Sequence, residues 1–309
     1  MASLTDTLGI RHPIVNAPMA GVAGGRLAHA VTAAGGLGMI GARGTSTPDW
    51  IRQQSAIAGE GGAPFGLGVM AWVPQLPTQL ETILALEGDS RPTLVAVSFG
   101  DLARPVATLR GAGFVVACQV GNAADLDAAI TAGADLIVAR GGEGGGHGRD
   151  EMAASDVLTL AVEATDRPVL AAGGIADADD VARAFAAGAA GVWCGTAFLT
   201  CREGENSAAA RAAISEATDT RYARVHDVAQ GVAWPREFGG RAVATPFVQQ
   251  WAGREDEMTD AARTEHADGK ARGDMGYTPL YAGVGVDRLG AETDAATVVA
   301  DLAAGLPSV

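Results

Sequence analysis

The chain has 309 residues, 48% hydrophobic and 19% charged, which suits one large α/β barrel or two ordinary domains and is too apolar for disorder. A formal charge of −14 argues against a nucleic-acid partner, since phosphate backbones want a basic face, and leaves only local basic sites for one small anion. No apolar run reaches about 18 residues, and the opening MASLTDTLGI lacks the basic-then-apolar order of a signal peptide, so a soluble cytoplasmic protein with no membrane partner is expected.

Short apolar runs then alternate with Ala-rich segments of helical period. The runs are Ile14–Met19, Leu37–Ala42, Phe65–Trp72, Leu94–Phe99, Phe114–Val120, Leu136–Ala139, Val169–Ala172 and Gly191–Leu199. Between them Arg26–Ala34, Asp125–Ala132 and Ala178–Ala187 place apolar residues three and four apart. Strands alternating with helices imply right-handed βαβ units and a parallel sheet, and eight strands are the number that closes a barrel. Periodicity alone predicts an open doubly wound sheet equally well. The glycines favour the barrel: no GxGxxG follows the first strand, while Gly-rich turns follow several strands, above all the sixth, seventh and eighth. From about 201 to 280 the chain turns polar, carries Trp234 and Trp251, and reads as a mostly helical insertion or cap. Residues 295–306 read as a closing helix. The predicted fold is an α/β (β/α)8 barrel built from 1–200 and 281–309.

The stretch Arg140-Gly-Gly-Glu-Gly-Gly-Gly-His147-Gly-Arg149 follows the sixth strand and holds six glycines in ten positions. Such a run is expected to be neither helix nor strand, because glycine loses the most backbone entropy on ordering. It suits a loop whose main chain approaches a ligand, with Glu143, His147 and two arginines available for proton transfer and anion binding. Histidine is the usual general base near neutral pH. A solvated surface loop is the plain alternative.

Gly173-Gly174-Ile-Ala-Asp177 joins the seventh strand to a helix, where a glycine pair exposes unpaired amides to a phosphate. Trp193-Cys194-Gly195-Thr196 closes the eighth strand 22 residues further on, one βα unit away, and adds amides and a hydroxyl. Barrels often hold phosphate between these two loops, although ordinary tight turns would look alike. Asn16-Ala17-Pro18-Met19-Ala-Gly21 ends the first strand and offers a polarisable methionine to a flat ring.

The remaining candidates read as structural. Cys118, Cys194 and Cys201 form neither a disulfide framework nor a CxxC pattern, and the first two sit inside apolar runs as core thiols. His12 falls at a turn, His29 in a helix, and His226 and His266 in the polar segment as solvated side chains. Asp125, Asp127, Asp177, Asp179 and Asp180 stand at helix starts, as capping or dipole charges. No zinc spacing and no GxSxG elbow occur.

Together, Asn16–Gly21, Gly35–Gly41, Glu143–His147, Gly173–Asp177, Gly191–Leu199 and Gly239–Trp251 resemble the nitronate monooxygenase family, formerly 2-nitropropane dioxygenases. The resemblance implies an FMN-containing TIM barrel with flavin at the C-terminal ends of the strands. By position, Ala17, Pro18 and Met19 would lie along the isoalloxazine, with Gly68, Gln119 and Arg140 also at the cofactor. Gly173, Gly174 and the turn of Trp193, Cys194, Gly195 and Thr196 would hold the ribityl phosphate. Gly145 and Gly146 would give close backbone approach, and His147 would take a substrate α-proton. The family passes an electron from a nitronate to FMN, and O2 completes conversion to a carbonyl compound and nitrite. No metal is implied, the partners are small molecules, and a homodimer is compatible.

Three positions depart from the family pattern. Phe65-Gly-Leu-Gly68 lacks the Asn or Gln common after the third strand, Arg140 replaces Gln or Asp, and Thr245 falls where Asn is frequent. A guanidinium at 140 would stabilise negative charge on reduced flavin. The same scaffold serves NAD(P)H-dependent reductases of quinones or enoyl thioesters, and a flavin-free phosphate-binding isomerase or synthase barrel is a third reading. A non-catalytic binding protein is the fourth.

Overall fold

In the computed structural model, which describes residues 3–307, eleven strands appear in chain order. They are β1 (Ile14–Asn16), β2 (Gly38–Gly41), β3 (Phe65–Met70), β4 (Leu94–Ser98), β5 (Val115–Val120) and β6 (Leu136–Arg140). Then come β7 (Gly146–Gly148), β8 (Val169–Ala172), β9 (Gly191–Cys194), β10 (Thr220–Ala223) and β11 (Gly239–Val243). Eight of them form one parallel sheet in the order β1-β9-β8-β6-β5-β4-β3-β2.

The two ends of that sheet meet. Val15 bridges Leu37 in the parallel sense, and the Leu37 N–H donates to the Ile14 carbonyl at 2.8 Å. The buried Asn16 side chain sews the same seam, accepting from the Met39 N–H at 2.7 Å and donating to the Met39 carbonyl at 3.3 Å. A strand of three residues has few ladder bonds to offer, so a side-chain amide that mimics backbone completes the closure. The barrel is thus a (β/α)8 barrel, as the glycine distribution predicts.

Side chains sort by the two-residue period of a strand. Val15, Met39, Leu94, Ala96, Ala117, Val138, Leu170 and Trp193 share an interior cluster with Leu4 and Leu8 of the N-terminal helix, which plugs that end. Ile14, Ile40, Val95, Val116, Ile137, Val169 and Val192 belong to the larger layer packed beneath the surrounding helices. The helix Ala295–Ala303 closes the ring.

Among the differences from the sequence reading, three bear on the site. The first strand stops at Asn16 rather than Met19, because Pro18 has no N–H for a ladder. The last barrel strand stops at Cys194, and Thr196–Phe198 forms a 3-10 turn. Third, the Gly-rich loop does contain a strand: β7 pairs antiparallel with β11, which pairs with β10. The partner supplies the reason. Gly239 and Gly240 oppose Gly148 and His147, and a Cβ on Gly240 would sit 2.7 Å from the Tyr281 ring. Only bare backbone packs this closely. The 201–280 excursion therefore carries a small sheet as well as helices at Ala208–Ser215, Val225–Gln230, Pro246–Trp251 and Asp260–Ala271.

Candidate active site

At the C-terminal ends of the barrel strands lies a cavity of about 600 Å³, within the usual range for small-molecule and cofactor sites. Its wall brings together every residue that the family resemblance assigns to the cofactor or to catalysis. Ala17, Pro18 and Met19 come from the end of β1, and Gly68 and Gln119 from β3 and β5. Arg140, Gly145, Gly146 and His147 come from β6 and its loop, Gly173 and Gly174 from the end of β8, and Trp193, Cys194, Gly195 and Thr196 from β9. The excursion adds Asp227 and Trp234, and Tyr281 follows directly after it.

The two turns after β8 and β9 share this one rim. Gly173 and Gly174 take φ of 105° and 73°, a region closed to most side chains. The Gly283 N–H donates to the Thr196 hydroxyl at 2.8 Å, which leaves the hydroxyl proton free to donate elsewhere. The helix N-terminus behind Gly174 is occupied by its own acids. Asp177 is the N-cap in a capping box with Asp180, and Asp180 also accepts from the Ala176 N–H at 2.8 Å. Arg288 offsets that charge, donating to Asp177 at 2.6 Å, to Asp180 at 2.7 Å and to the Gly174 carbonyl at 2.8 Å. Anion-binding capacity is left to the glycine turns and Thr196.

In the Gly-rich loop the charged residues have separate duties. Glu143 turns away and accepts from the Ala154 N–H at 2.8 Å, capping the next helix. Arg149 is held by Asp125 at 2.7 and 3.0 Å, so neither side chain is a free anion site. Arg140 is buried, and its guanidinium donates to the carbonyls of Arg149, Gly144, Gly145 and Gly146. Burial lowers its pKa to about 10, which still leaves it cationic at neutral pH. The guanidinium that faces the cavity is therefore the clamp that shapes the loop. Gly68 finds its reason too: a Cβ there would lie 2.5 Å from the Pro18 ring.

His147 is 10% exposed, and its Nε2 lies 2.9 Å from Oδ1 and 3.1 Å from Oδ2 of Asp227, itself 4% exposed. A carboxylate acceptor favours the tautomer with the proton on Nε2, leaving Nδ1 able to take a proton. Trp234 stacks on the imidazole with centroids 3.8 Å apart and 7° between planes, and the Tyr281 ring lies 5.1 Å away. Burial first, then the Asp227 charge, push the Tyr281 phenol well above its ordinary range, so it stays neutral. Sequence reasoning missed Asp227. It sits in a short helix of the excursion, and nothing local marks it as the partner of a histidine 80 residues earlier.

His226 and His266 are buried, a correction to the solvated reading. Nδ1 of one lies 3.2 Å from Nε2 of the other, and Nε2 of His226 has no partner. Helices Val225–Gln230 and Asp260–Ala271 pack together and enclose them. The three cysteines are free and buried, as the apolar runs imply for Cys118 and Cys194. Burial pushes the Cys118 and Cys201 thiols up to about 12 and raises Cys194 as well, so Cys194 is no nucleophile although it lines the cavity. Among the described residues no cluster of three His, Cys, Asp or Glu side chains is placed to hold a metal, and no helix is long and apolar enough to cross a membrane.

A (β/α)8 barrel with bare glycine turns after its last strands and a buried imidazole–carboxylate pair over the same cavity defines a barrel enzyme. The chain belongs to the nitronate monooxygenase family, whose sequence model matches residues 2–305. It is 30% identical to the nitronate monooxygenase of Paraburkholderia phytofirmans, over 91% of this chain and 88% of that protein. It is also 34% identical to the (3aS,4S,5R,7aS)-5-hydroxy-7a-methyl-1-oxo-octahydro-1H-indene-4-carboxyl-CoA dehydrogenase of Rhodococcus jostii over 65% of this chain. That match spans 56% of the dehydrogenase. FabK from Thermotoga maritima superposes with a TM-score of 0.83 at 27% identity, over 98% of this chain and 95% of that one. By their names the monooxygenase and the dehydrogenase are oxidoreductases.

Proposed function

We propose that this protein is an FMN-dependent oxidoreductase that oxidises alkyl nitronates with O2 to a carbonyl compound and nitrite, with His147 as the base for substrates that arrive protonated. The observation that carries the reading is the convergence of the β8 and β9 turns with His147 on one cavity. The residues present fit the cofactor: Gly173, Gly174 and Gly195 keep the wall bare, and a Cβ on Gly195 would come within 3.4 Å of Ala17 and 3.5 Å of the Met19 sulfur. FMN, when bound, supplies the electron acceptor.

The chain's own residues do the rest. The amides of the glycine turns and the Thr196 hydroxyl would hold a phosphate, and Pro18 and Met19 would lie against a flat ring. Nδ1 of His147 accepts the proton from the carbon bearing the nitro group. Asp227 orients the ring through Nε2 and stabilises the imidazolium that forms, the general acid–base role worth roughly 10²–10⁴ in rate. The neutral Tyr281 and the rings of Trp234 and Phe99 keep water from that face.

The likeness to a carboxyl-CoA dehydrogenase favours a second reading, an NAD(P)H-dependent reductase of enoyl thioesters or quinones on the same barrel. Anaerobic mixing separates the two. Bleaching of the flavin by a nitronate and not by NADH supports the first; bleaching by NADH alone overturns it. Within the first reading, His147→Ala keeps FMN bound, slows neutral nitroalkanes and spares preformed nitronates. Equal loss with both substrate forms would remove His147 from the role of base.

A further inference from the structure

Trp234 belongs to the excursion and to neither turn that faces the phosphate end, yet its indole lies flat on the His147 imidazole, 3.8 Å away and 7° from parallel. Its own position is fixed from behind. Trp72 packs on it at 4.8 Å and Phe99 meets it edge-on at 5.3 Å. The Trp234 carbonyl accepts from Arg224 at 2.8 Å. Phe99 stands at φ 69°, the one positive value among the described residues other than glycine, and so carries backbone strain. Its ring meets both Trp234 and Phe238 edge-on. A loop side chain with three such supports is a fixed plate rather than a door.

From this geometry we propose that Trp234 is the positioning residue for the proton-abstracting base: its indole face holds the His147 ring in plane and stabilises the imidazolium after proton abstraction. Asp227 restrains the imidazole at one atom, Nε2, through a hydrogen bond that still allows the ring to rock about its Cβ–Cγ bond. The indole removes that freedom. The π face of tryptophan is also the best of the aromatic partners for a cation, and a desolvated contact favours the charged ring over the neutral one. In the step it serves, the C–H bond of the substrate breaks, its electron pair stays on carbon to form the nitronate, and the proton moves to Nδ1. No further reactant is needed for that half.

The proposal deepens the reading of His147 as base and rests on it, so two readouts are needed. Trp234→Leu and Trp234→Phe are made in the flavin-loaded enzyme and turned over on a neutral nitroalkane and on its preformed nitronate. Trp234→Leu is expected to lower the rate on the neutral substrate, relative to the rate on the preformed nitronate, roughly 2- to 30-fold, the range a cation–π contact of about 0.5–2 kcal/mol converts to. Trp234→Phe restores most of the loss, since a ring face remains. Independently of turnover, ¹⁵N spectra of the imidazole, assigned with His147→Gln, are expected to show a narrow protonated-Nε2 signal in the parent and in Trp234→Phe and an exchange-broadened one in Trp234→Leu. Unchanged spectra and an unchanged rate ratio in Trp234→Leu overturn the proposal. If instead His147→Ala retains full activity on the neutral substrate, the base assignment itself fails, and the spectra still report whether the stack orders the ring.

Discussion

The Nε2 of His147 and the carboxylate of Asp227 lie 2.9 and 3.1 Å apart, across 80 residues of chain and from two different layers of the molecule. One belongs to the barrel's Gly-rich loop, the other to a helix of the excursion. Neither half is a base of defined tautomer alone.

Replacing the carboxylate tests that dependence. Asp227→Asn offers the imidazole an amide that donates as readily as it accepts, so the ring can flip its proton to Nδ1. We expect turnover of neutral nitroalkanes to fall by roughly 10²–10⁴, with nitronate turnover and flavin content nearly unchanged. Steady-state kinetics on the two substrate forms decides it; a uniform loss in both would mean that Asp227 supports the fold rather than the proton transfer.

Arg140 sits beside the same loop with a guanidinium committed to four carbonyls, those of Gly144, Gly145, Gly146 and Arg149. Arg140→Gln removes a buried cation from the cavity wall, so the flavin reduction potential is expected to fall, measured by spectroelectrochemistry. It also orphans loop carbonyls, and the denaturation free energy should drop by roughly 2–4 kcal/mol. An unchanged potential would show that the charge is screened from the ring.

For the phosphate end, Gly174→Ala is informative because the position is not crowded. Its nearest neighbour would be the Glu143 Cβ at 3.5 Å, so the cost is the φ of 73°, roughly 1–2 kcal/mol. Gly133 has a comparable φ of 91° at the end of the helix Ala123–Ala132 and serves as control. Both alanine variants should lose similar stability, while only Gly174→Ala weakens FMN binding, roughly tenfold. Equal FMN affinity in the two proteins would place the phosphate elsewhere.

The buried His226 gives a pH signature. Burial first, then His266, Lys270 and His147, hold its pKa down to about 3 in the folded chain, against about 6.5 when unfolded. A histidine depressed by folding binds its proton more readily in the unfolded state. The stability it permits is complete above about pH 6.5 and is lost as pH falls toward 3, by up to roughly 1.4 kcal/mol per pH unit. His226→Gln should flatten that decline. Urea midpoints at about pH 7.5 and about pH 5 measure it, and an identical drop in parent and variant would assign the acid sensitivity to other groups.

Much of this protein is determined locally. The alternation of apolar runs with helical segments fixes eight βα units, because a buried parallel strand must be apolar along its length and its helix must show one apolar face. The glycines at 145, 146, 173, 174 and 195, Met19 and His147 announce themselves because a bare backbone and a lone imidazole in it have few structural uses. Tertiary structure decided what those signals left open. Barrel closure depends on the Val15–Leu37 bridge and the Asn16 seam, which no period encodes. The strand Gly146–Gly148 exists because Gly239 and Gly240 arrive opposite it, against the preference of glycine itself. The burial of His226 and His266, the clamp at Arg140, and the partners Asp227 and Trp234 all depend on where a polar excursion folds back over the barrel mouth. Hydrophobic period reports what a residue does to its own element; the energy of a hydrogen bond or a ring stack depends on a second residue, and the sequence does not say which one will come near.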